Sequence, residues 1–183
     1  MTKQELRIQI KQTLQAHQVS FKNESFRICK KIISSEYYIK SSIILCYMAL
    51  PDEVDLSQII LQAQNDKKVI FVPKVQKKTT KMNFFEITKN VSLSSGSFGI
   101  LEPDSSTRIF DFNDFNDENI LILVPGRAFS LKGERLGRGK GYYDSFLKNK
   151  PRNCMTAGVC FPFQIVNEIP VESHDFKMDF IFY

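Results

Sequence analysis

Three short apolar runs constrain the fold of this chain more than any other feature. Residues 43–48 read IILCYM, residues 69–72 read VIFV and residues 120–124 read ILILV, without alternation of apolar and polar side chains. Continuous apolar strands are typical of parallel sheets that are covered on both faces. Each run is also far shorter than the roughly 20 residues that a membrane-spanning helix needs. We therefore expect an α/β fold of three layers, α/β/α, with a largely parallel central sheet and no membrane span.

The segments around these runs have helical periodicity. Leu6, Ile10 and Leu14 recur at four-residue intervals and predict an amphipathic helix over residues 3–17. Thr2 and the acid three residues after it fit a capping box at the start of this helix. Further helices are expected over residues 20–36, 56–64 and 141–148, further strands over residues 82–87, 156–160 and 178–182, and a loop over residues 92–108.

The composition is sufficient to fill one hydrophobic core. The chain has 183 residues, of which 43% are hydrophobic and 16 are Phe, a size typical of one domain. We expect a single domain over residues 1–183. In the second predicted helix, Phe26, Cys29 and Ile33 fall on one side, and we expect that side to face the core.

Residues 133–143, GERLGRGKGYY, form a glycine segment that holds four of the eight glycines of the chain and three of its cations. Glycine lets backbone N–H groups approach an anion closely, and Arg and Lys donate charge-assisted hydrogen bonds to phosphate oxygens. The segment follows the strand over residues 120–124 and precedes a predicted helix, which is where ligands bind in open α/β sheets. We predict a polyphosphate site, with a flexible basic hairpin that binds no ligand as the alternative.

This segment is neither of the two common phosphate-binding motifs. A Walker loop needs Ser or Thr after its Lys, but Gly141 follows Lys140, and Glu134 stands where the first glycine belongs. The dinucleotide fingerprint G-x-G-x-x-G is also absent, because Gly137 and Gly139 continue the pattern as G-x-G-x-G.

Net charge and cysteine spacing limit the partners. A charge of +5 and a pI near 9.0 suit an anionic partner, either nucleic acid or a nucleotide with an acidic co-substrate. No RNP-type strand, zinc-finger spacing or helix-turn-helix pattern is evident, so we expect no nucleic acid. Four cysteines without C-x-x-C spacing and only two histidines disfavour disulfides and zinc. Any metal is expected to be a hard ion held by carboxylates.

The first residues, MTKQELR, are polar and alternate in charge, so they lack the apolar stretch of a secretory signal. We expect a cytoplasmic protein, and a monomer.

Two long motifs together resemble the 5-formyltetrahydrofolate cyclo-ligase family, also called methenyltetrahydrofolate synthetases. They are L-V-P-G-x-A-F over residues 123–129 and G-x-R-L-G-x-G-x-G-Y-Y-D-x-F-L over residues 133–147. Shorter matches are K-x-x-L-R over residues 3–7, E-V-D over residues 53–55, F-G-I-x-E-P over residues 98–103 and H-D-x-x-M-D over residues 174–179. The chain departs from the family at Arg127, where an apolar residue is common, and at Ser130, where Asp is common.

The resemblance implies a fold related to the NagB/RpiA/CoA-transferase group and a ligase of folate and one-carbon metabolism. Such enzymes use ATP as co-substrate and Mg²⁺ as cofactor to convert 5-formyltetrahydrofolate into 5,10-methenyltetrahydrofolate. ATP phosphorylates the formyl oxygen, N10 attacks the activated carbon and phosphate leaves, which yields ADP and phosphate. The expected partners are these two small molecules.

The resemblance also assigns roles to residues. Lys140, Arg138 and Arg135 are expected to be catalytic, and Asp144 and Asp175 to hold the metal. ATP is expected to contact Lys3, Arg7, Arg135, Leu136, Gly137, Arg138, Gly139, Lys140, Gly141, Tyr142 and Tyr143. The folate is expected to contact Met48, Glu53, Tyr142 and Tyr143.

Without the resemblance, several of these residues have simpler interpretations. Lys3 and Arg7 then read as surface charges, Glu53 as a loop charge and Met48 as core. Asp144 reads as a charge at a helix N-terminus and Asp175 as a cap or turn residue. One of the two tyrosines is expected in the core and one at a ligand. His174 is expected to orient the segment before Asp175 rather than to act as an acid or base.

Overall fold

The computed structural model describes residues 1–75, 81–88, 93–95, 101–103 and 107–183. Its helices are α1 (Lys3–Ala16), α2 (Phe21–Ile33), α3 (Glu36–Lys40), α4 (Ser57–Asn65) and α5 (Tyr142–Leu147), with short 3₁₀ turns at Gln18–Ser20, Phe112–Phe115 and Pro162–Gln164. Its strands are β1 (Ile43–Leu45), β2 (Val69–Val75), β3 (Met82–Glu86), β4 (Leu93–Ser95), β5 (Leu101–Pro103), β6 (Ile120–Pro125), β7 (Ala128–Phe129), β8 (Arg135–Leu136), β9 (Cys154–Val159) and β10 (Phe180–Phe182).

Six strands form the central sheet, in the spatial order β10-β9-β6-β1-β2-β3. All neighbours in this order are parallel except β3, which pairs antiparallel with β2 at the edge. Leu45 in β1 lies opposite Phe71 on one side and Ile122 on the other. The predicted α/β fold with a largely parallel sheet is confirmed.

Both faces of the sheet are covered, which explains why its central strands are apolar without interruption. Ile44 points into the core cluster that includes buried residues of α1, α2 and α4. Its neighbours Ile43 and Leu45 point into the opposite cluster, with Leu147 of α5 and Phe115 of a 3₁₀ turn. Because successive side chains in a strand face opposite sides, a strand between two helical layers needs apolar residues at every position.

Helix α1 begins where the sequence predicts. The Thr2 hydroxyl accepts a hydrogen bond from the Glu5 N–H at 3.2 Å, and the Glu5 carboxylate accepts one from the Thr2 N–H at 2.7 Å. Leu6, Ile10 and Leu14 are all buried. The predicted capping box and buried face are confirmed.

The second predicted helix is shorter than expected and its buried face is rotated. Cys29 is buried as predicted, but Phe26 is 47% exposed, while Ile28 and Ser25 face the core. The Ser25 hydroxyl accepts a hydrogen bond from the Asp55 N–H at 3.1 Å, which satisfies its polar atom in a buried position. The prediction for Phe26 is therefore wrong.

One further expectation needs correction. Within the expected loop over residues 92–108, β4 and β5 pair as a small antiparallel sheet. The family-like residues 98–100 lie outside the described part of the chain. A second small hairpin follows β6 and was not predicted: β7 pairs with β8, and β8 lies within the glycine segment.

The four cysteines are free and buried. Within the described residues, no helix is long and apolar enough to cross a membrane.

Candidate functional site

A cleft lies at the carboxyl ends of the parallel strands, with a cavity volume of about 1060 Å³. Five parts of the chain form its walls: the loop after β1, the paired strands β2 and β3, the chain from the end of β6 through the glycine segment, the first turns of α1 and residues 172–175 before β10. The cavity is lined by every residue that the sequence places in the site, namely Lys3, Arg7, Met48, Glu53, Arg135, Leu136, Gly137, Arg138, Gly139, Lys140, Gly141, Tyr142, Tyr143, Asp144 and Asp175. Residues far apart in sequence therefore converge as the family motifs predict.

Backbone hydrogen bonds hold the start of the glycine segment in place. The Gly133 carbonyl accepts a hydrogen bond from the Met178 N–H at 2.8 Å, and the Leu136 carbonyl accepts one from the Arg127 N–H at 2.7 Å. Further along, the Arg7 side chain donates its Nε–H to the Gly137 carbonyl at 2.9 Å. Helix α1 thus holds the segment at Gly137, and the residues just after β6 and just before β10 hold its start.

Arg135 lies deep in the cleft, with only 6% of its side chain exposed. Its Nη2 atom donates to Oδ1 of Asp144 at 2.8 Å, and its guanidinium carbon lies 5.7 Å from the centre of the Tyr143 ring. The buried Nε atom has no hydrogen-bond partner among the described residues. Because an unpaired buried donor costs free energy, a bound acceptor at this point would be stabilised.

Arg138 reaches across the cleft to the loop after β1. Its Nε and Nη2 atoms donate to Oε1 of Glu53 at 3.0 and 2.9 Å, and Nη2 also donates to Oδ1 of Asp52. Burial favours a lower pKa for the Arg138 guanidinium, but the two carboxylates outweigh it and raise the pKa. Burial likewise favours a higher pKa for Asp52, yet the contact with Arg138 leaves it below the ordinary value. Arg138 and Asp52 are therefore charged and paired.

Lys3 and Asp175 form the opposite wall. The Lys3 Nζ atom lies 2.6 Å from Oδ2 of Asp175 and 2.9 Å from Oε1 of Glu172. Burial would lower the pKa of Lys3, but the hydrogen bonds to Asp175 and Glu172 raise it. Burial would raise the pKa of Asp175, and the hydrogen bond from Lys3 lowers it.

Lys140 differs from these cations. It is exposed at the mouth of the cleft, and the described residues form no hydrogen bond or ion pair with its Nζ atom. A cation that is not neutralised by a protein carboxylate can pair with an arriving anion without first breaking a contact.

Tyr142 and Tyr143 both line the cavity and both pack against the buried cluster beneath it. Both rings therefore lie between the core and the cavity, and the expectation that one of them contacts a ligand stays a prediction. The Tyr143 hydroxyl is buried and has no hydrogen-bond partner among the described residues. Burial raises its pKa, so this hydroxyl is neutral.

The two carboxylates expected to hold a metal are close in the fold but do not form a preformed cluster. Asp144 accepts from Arg135 and, at 3.3 Å, from the N–H of Phe176, the residue after Asp175. Among the described residues, no group of three or more Asp, Glu, His or Cys side chains is arranged to hold a metal ion. His174 is 70% exposed in its side chain and lies 3.7 Å from Glu172.

Asp52 and Gln164 support the site and were missed by sequence reasoning. Asp52 accepts from both Arg138 and Arg127, and Gln164 donates its Nε2–H groups to the Gly126 and Arg127 carbonyls at 3.1 and 2.9 Å. The one hint in the sequence was the presence of Arg127. A largely buried arginine needs a carboxylate partner, and the structure shows that this side chain is only 17% exposed.

Comparison with known proteins places the chain in one family. The sequence matches the 5-formyltetrahydrofolate cyclo-ligase family over residues 1–183. The 5-formyltetrahydrofolate cyclo-ligase of Mus musculus is 31% identical over 198 residues, which cover 99% of this chain and 93% of the mouse protein.

Solved structures agree. The NMR structure of Aquifex aeolicus 5,10-methenyltetrahydrofolate synthetase superposes with a TM-score of 0.81 at 28% identity and covers 100% of this chain and 89% of that chain. The Mycoplasma pneumoniae 5,10-methenyltetrahydrofolate synthetase shares the fold, with a TM-score of 0.76 at 22% identity over 100% of this chain and 98% of that chain. With its motifs converging on one cleft and its whole length matched, the chain belongs to the 5-formyltetrahydrofolate cyclo-ligase family, a family of enzymes.

Proposed function

We propose that this protein uses ATP and Mg²⁺ to cyclise 5-formyltetrahydrofolate to 5,10-methenyltetrahydrofolate, with ADP and phosphate as the other products. The observation that carries the proposal is the convergence, in one cleft of about 1060 Å³, of a cationic glycine segment and the Glu53 carboxylate. The first suits a polyphosphate and the second suits the N–H groups at the edge of a pterin.

The chemistry explains why ATP is needed. A formamide carbonyl resists attack by a neighbouring amine because its oxygen is a poor leaving group. Transfer of the terminal phosphoryl group of ATP to that oxygen, with release of ADP, makes the carbon electrophilic. N10 then forms a bond to this carbon and loses its proton, and the C–O bond breaks as phosphate departs.

The protein's part in such a transfer is to position the reactants and neutralise charge rather than to supply a covalent nucleophile. Arg135 and Lys140 are the cations that we assign to the transferring phosphoryl group, together with Arg138. Arg135 is fixed by Asp144, so its orientation is set before a ligand arrives. Fixed donors aimed at developing charge commonly contribute several kcal/mol to transition-state stabilisation.

For the folate we assign Glu53 and Met48, which line the cavity after β1. Glu53 has 9% of its side chain exposed, and its Oε2 atom accepts from the Leu50 N–H at 3.0 Å, which orients the carboxylate. Lys3 and Arg7 are assigned to the nucleotide from the side of α1.

Asp144 and Asp175 would hold the magnesium ion. Their oxygen donors have the right chemistry, and Mg²⁺ commonly takes only one or two carboxylates when phosphate oxygens and waters complete its shell. Asp144 is paired with Arg135 and Asp175 with Lys3. A magnesium ion that enters with the nucleotide would replace these contacts or add to them. When bound, Mg²⁺ would neutralise phosphate charge.

Other functions remain as alternatives that experiment can separate. One alternative is an ATP-dependent enzyme that acts on a different acceptor, since fold and phosphate loop do not define the substrate. Another is a binding module without turnover, which would hold ligands but not hydrolyse ATP. Nucleic-acid binding would be lost steeply with salt and would be indifferent to folate. A cytoplasmic location and a monomeric state stay predictions.

The test is to mix purified protein with 5-formyltetrahydrofolate, ATP and Mg²⁺ and to follow the absorbance of the methenyl product. Controls omit ATP, chelate the divalent cation, or use Lys140→Ala. Product that depends on ATP and Mg²⁺ and is lost in the variant supports the proposal. No product from folded protein that binds ATP would point to another acceptor.

A further inference from the structure

Four charged side chains form a continuous chain that ends at the cleft, in the order Arg127, Asp52, Arg138, Glu53, and the last two of them line the cavity. Oδ2 of Asp52 accepts from Nη1 of Arg127, and Oδ1 accepts from Nη2 of Arg138. Arg138 then donates to Oε1 of Glu53 through two nitrogens. Asp52 is therefore the link between two arginines, with each carboxylate oxygen used by one of them.

The Arg127 end of this chain is rigid. The Arg127 N–H donates to the Leu136 carbonyl at 2.7 Å, and its own carbonyl accepts from Nε2 of Gln164 at 2.9 Å. Gln164 is 2% exposed, and its Oε1 atom accepts from the Phe161 N–H at 2.8 Å. A backbone held on both sides fixes where the Arg127 side chain starts.

The Arg138 end is less constrained by its surroundings. Its side chain is 34% exposed, and it lies between Gly137 and Gly139, which have no side chains to pack against it. Carboxylates of the loop after β1 provide all of the side-chain hydrogen bonds that the described residues make with Arg138.

One of these two carboxylates has another assigned task. In the function proposed above, Glu53 binds the pterin edge, and a carboxylate oxygen that accepts from the pterin is less available to Arg138. Asp52 has no such competing task, and its second oxygen is occupied by Arg127. The two acids therefore differ in what they do once the folate is bound.

We propose that Asp52, anchored by Arg127, is a positioning residue that keeps Arg138 at the nucleotide when Glu53 binds the folate. This inference rests on the proposed function.

The decisive variant is Asp52→Asn, which keeps the size of the side chain and removes its charge. We expect the dissociation constant for ATP, measured by calorimetric titration, to rise about 10-fold, and the KM for ATP to rise with it. The KM for 5-formyltetrahydrofolate should change less than about 2-fold. A merely structural role would instead weaken both ligands together and lower the melting temperature.

Asp55→Asn is the matched control. Asp55 lies on the same loop, but its carboxylate accepts from the N–H and hydroxyl of Ser57 at the start of α4, whereas that of Asp52 accepts from Arg138 and Arg127. Asp55→Asn should lower the melting temperature without a difference between the two ligands.

A double-mutant cycle separates positioning from a direct effect of charge. In an Arg138→Ala background, Asp52→Asn should cause no further loss of ATP affinity, because the residue that it positions is gone. Arg127→Gln should weaken ATP in the same direction as Asp52→Asn, and it provides the test if Asp52→Asn does not fold.

The outcomes distinguish this inference from the proposed function. Folded wild-type protein that binds ATP but forms no methenyl product overturns the proposed function, and a selective loss of ATP binding in Asp52→Asn would then still support the anchor. Unchanged ATP affinity in folded Asp52→Asn, or in Arg127→Gln when the first variant is unfolded, overturns the anchor. Equal losses with and without Arg138 overturn it as well.

Discussion

The Nζ atom of Lys3 lies 2.6 Å from Oδ2 of Asp175, a contact between residues 172 positions apart in the sequence. The side chains are 19% and 17% exposed, so the pair is partly shielded from solvent. It connects the first turn of α1 to the segment before β10, and both ends line the cleft. The contact therefore closes one wall of the proposed active site.

Removing this contact should weaken the fold only in a defined pH range. We expect Lys3→Met to lower the free energy of unfolding at pH 7 by about 1 kcal/mol, the upper end for partly exposed ion pairs. The hydrogen bond from Lys3 lowers the pKa of Asp175 below 3.8, so this contribution is present above about pH 4 and is lost as the pH falls through the folded-state pKa. The pKa of Lys3 is raised above 10.5, so the contribution is complete below that value.

Urea unfolding of both proteins at pH 7 and pH 2.5 checks this expectation. The difference between wild type and Lys3→Met should be constant from about pH 5 to 9 and should shrink in acid. A difference that persists unchanged at pH 2.5 would show that Lys3 stabilises the fold by packing of its aliphatic stem rather than by its charge.

Lys140→Ala should lower turnover by at least about 100-fold while the melting temperature stays the same, as for loss of a cation that acts in the transition state. Its Nζ atom has no partner among the described residues, so no folded-state contact is lost. Lys148→Ala is the matched control, because Lys148 is an exposed lysine just past α5 that does not line the cavity. Near-normal turnover of Lys140→Ala would remove this residue from the mechanism.

Glu53→Gln should raise the KM for 5-formyltetrahydrofolate by about 10-fold or more and the KM for ATP by much less. The amide oxygen of Gln can still accept from Arg138, and Asp52 also holds that arginine. The Gln amide has only one oxygen, however, so it cannot accept from the pterin edge through two oxygens as a carboxylate can. Steady-state kinetics with each substrate varied in turn gives the two values, and equal increases would indicate that Glu53 acts mainly through Arg138.

The glycine segment and the strands were predictable because both are local signals. The run over residues 120–124 predicts that the segment follows a strand end, and the structure has it there, lining the cleft; that it binds an anion stays a prediction from its composition. The small hairpin of β7 and β8 was missed because strands of two residues are too short to show periodicity.

The ion pairs could not be predicted, for a different reason. Asp52 and Arg127 are 75 positions apart, and no local period relates them. The sequence contains many other acidic residues, and only the fold shows that Asp52 is the one that pairs with Arg127. Phe26 was misplaced because a buried Ser25 interrupts the apolar stripe of α2, and its hydrogen bond to the Asp55 backbone becomes visible only in three dimensions.

Two glycines of the same segment should differ sharply when they are replaced by alanine. Gly133 has φ +84, and a Cβ atom there would lie 2.3 Å from the Met178 carbonyl oxygen. The N–H of Met178 also donates a hydrogen bond to the Gly133 carbonyl, so the backbone at Met178 is held close to Gly133. Gly141 has a similar φ of +69, but a Cβ atom there meets nothing within 4 Å.

Gly141→Ala should therefore cost about 1 to 2 kcal/mol, the usual cost of a left-handed conformation for a residue with a Cβ atom. Gly133→Ala adds a collision with backbone and should cost about 4 kcal/mol or more. For a chain of this size, about 1 kcal/mol shifts the melting temperature by roughly 2–4 °C. Thermal unfolding of both variants gives the comparison, and similar melting temperatures would mean that the backbone near Met178 moves aside at little cost.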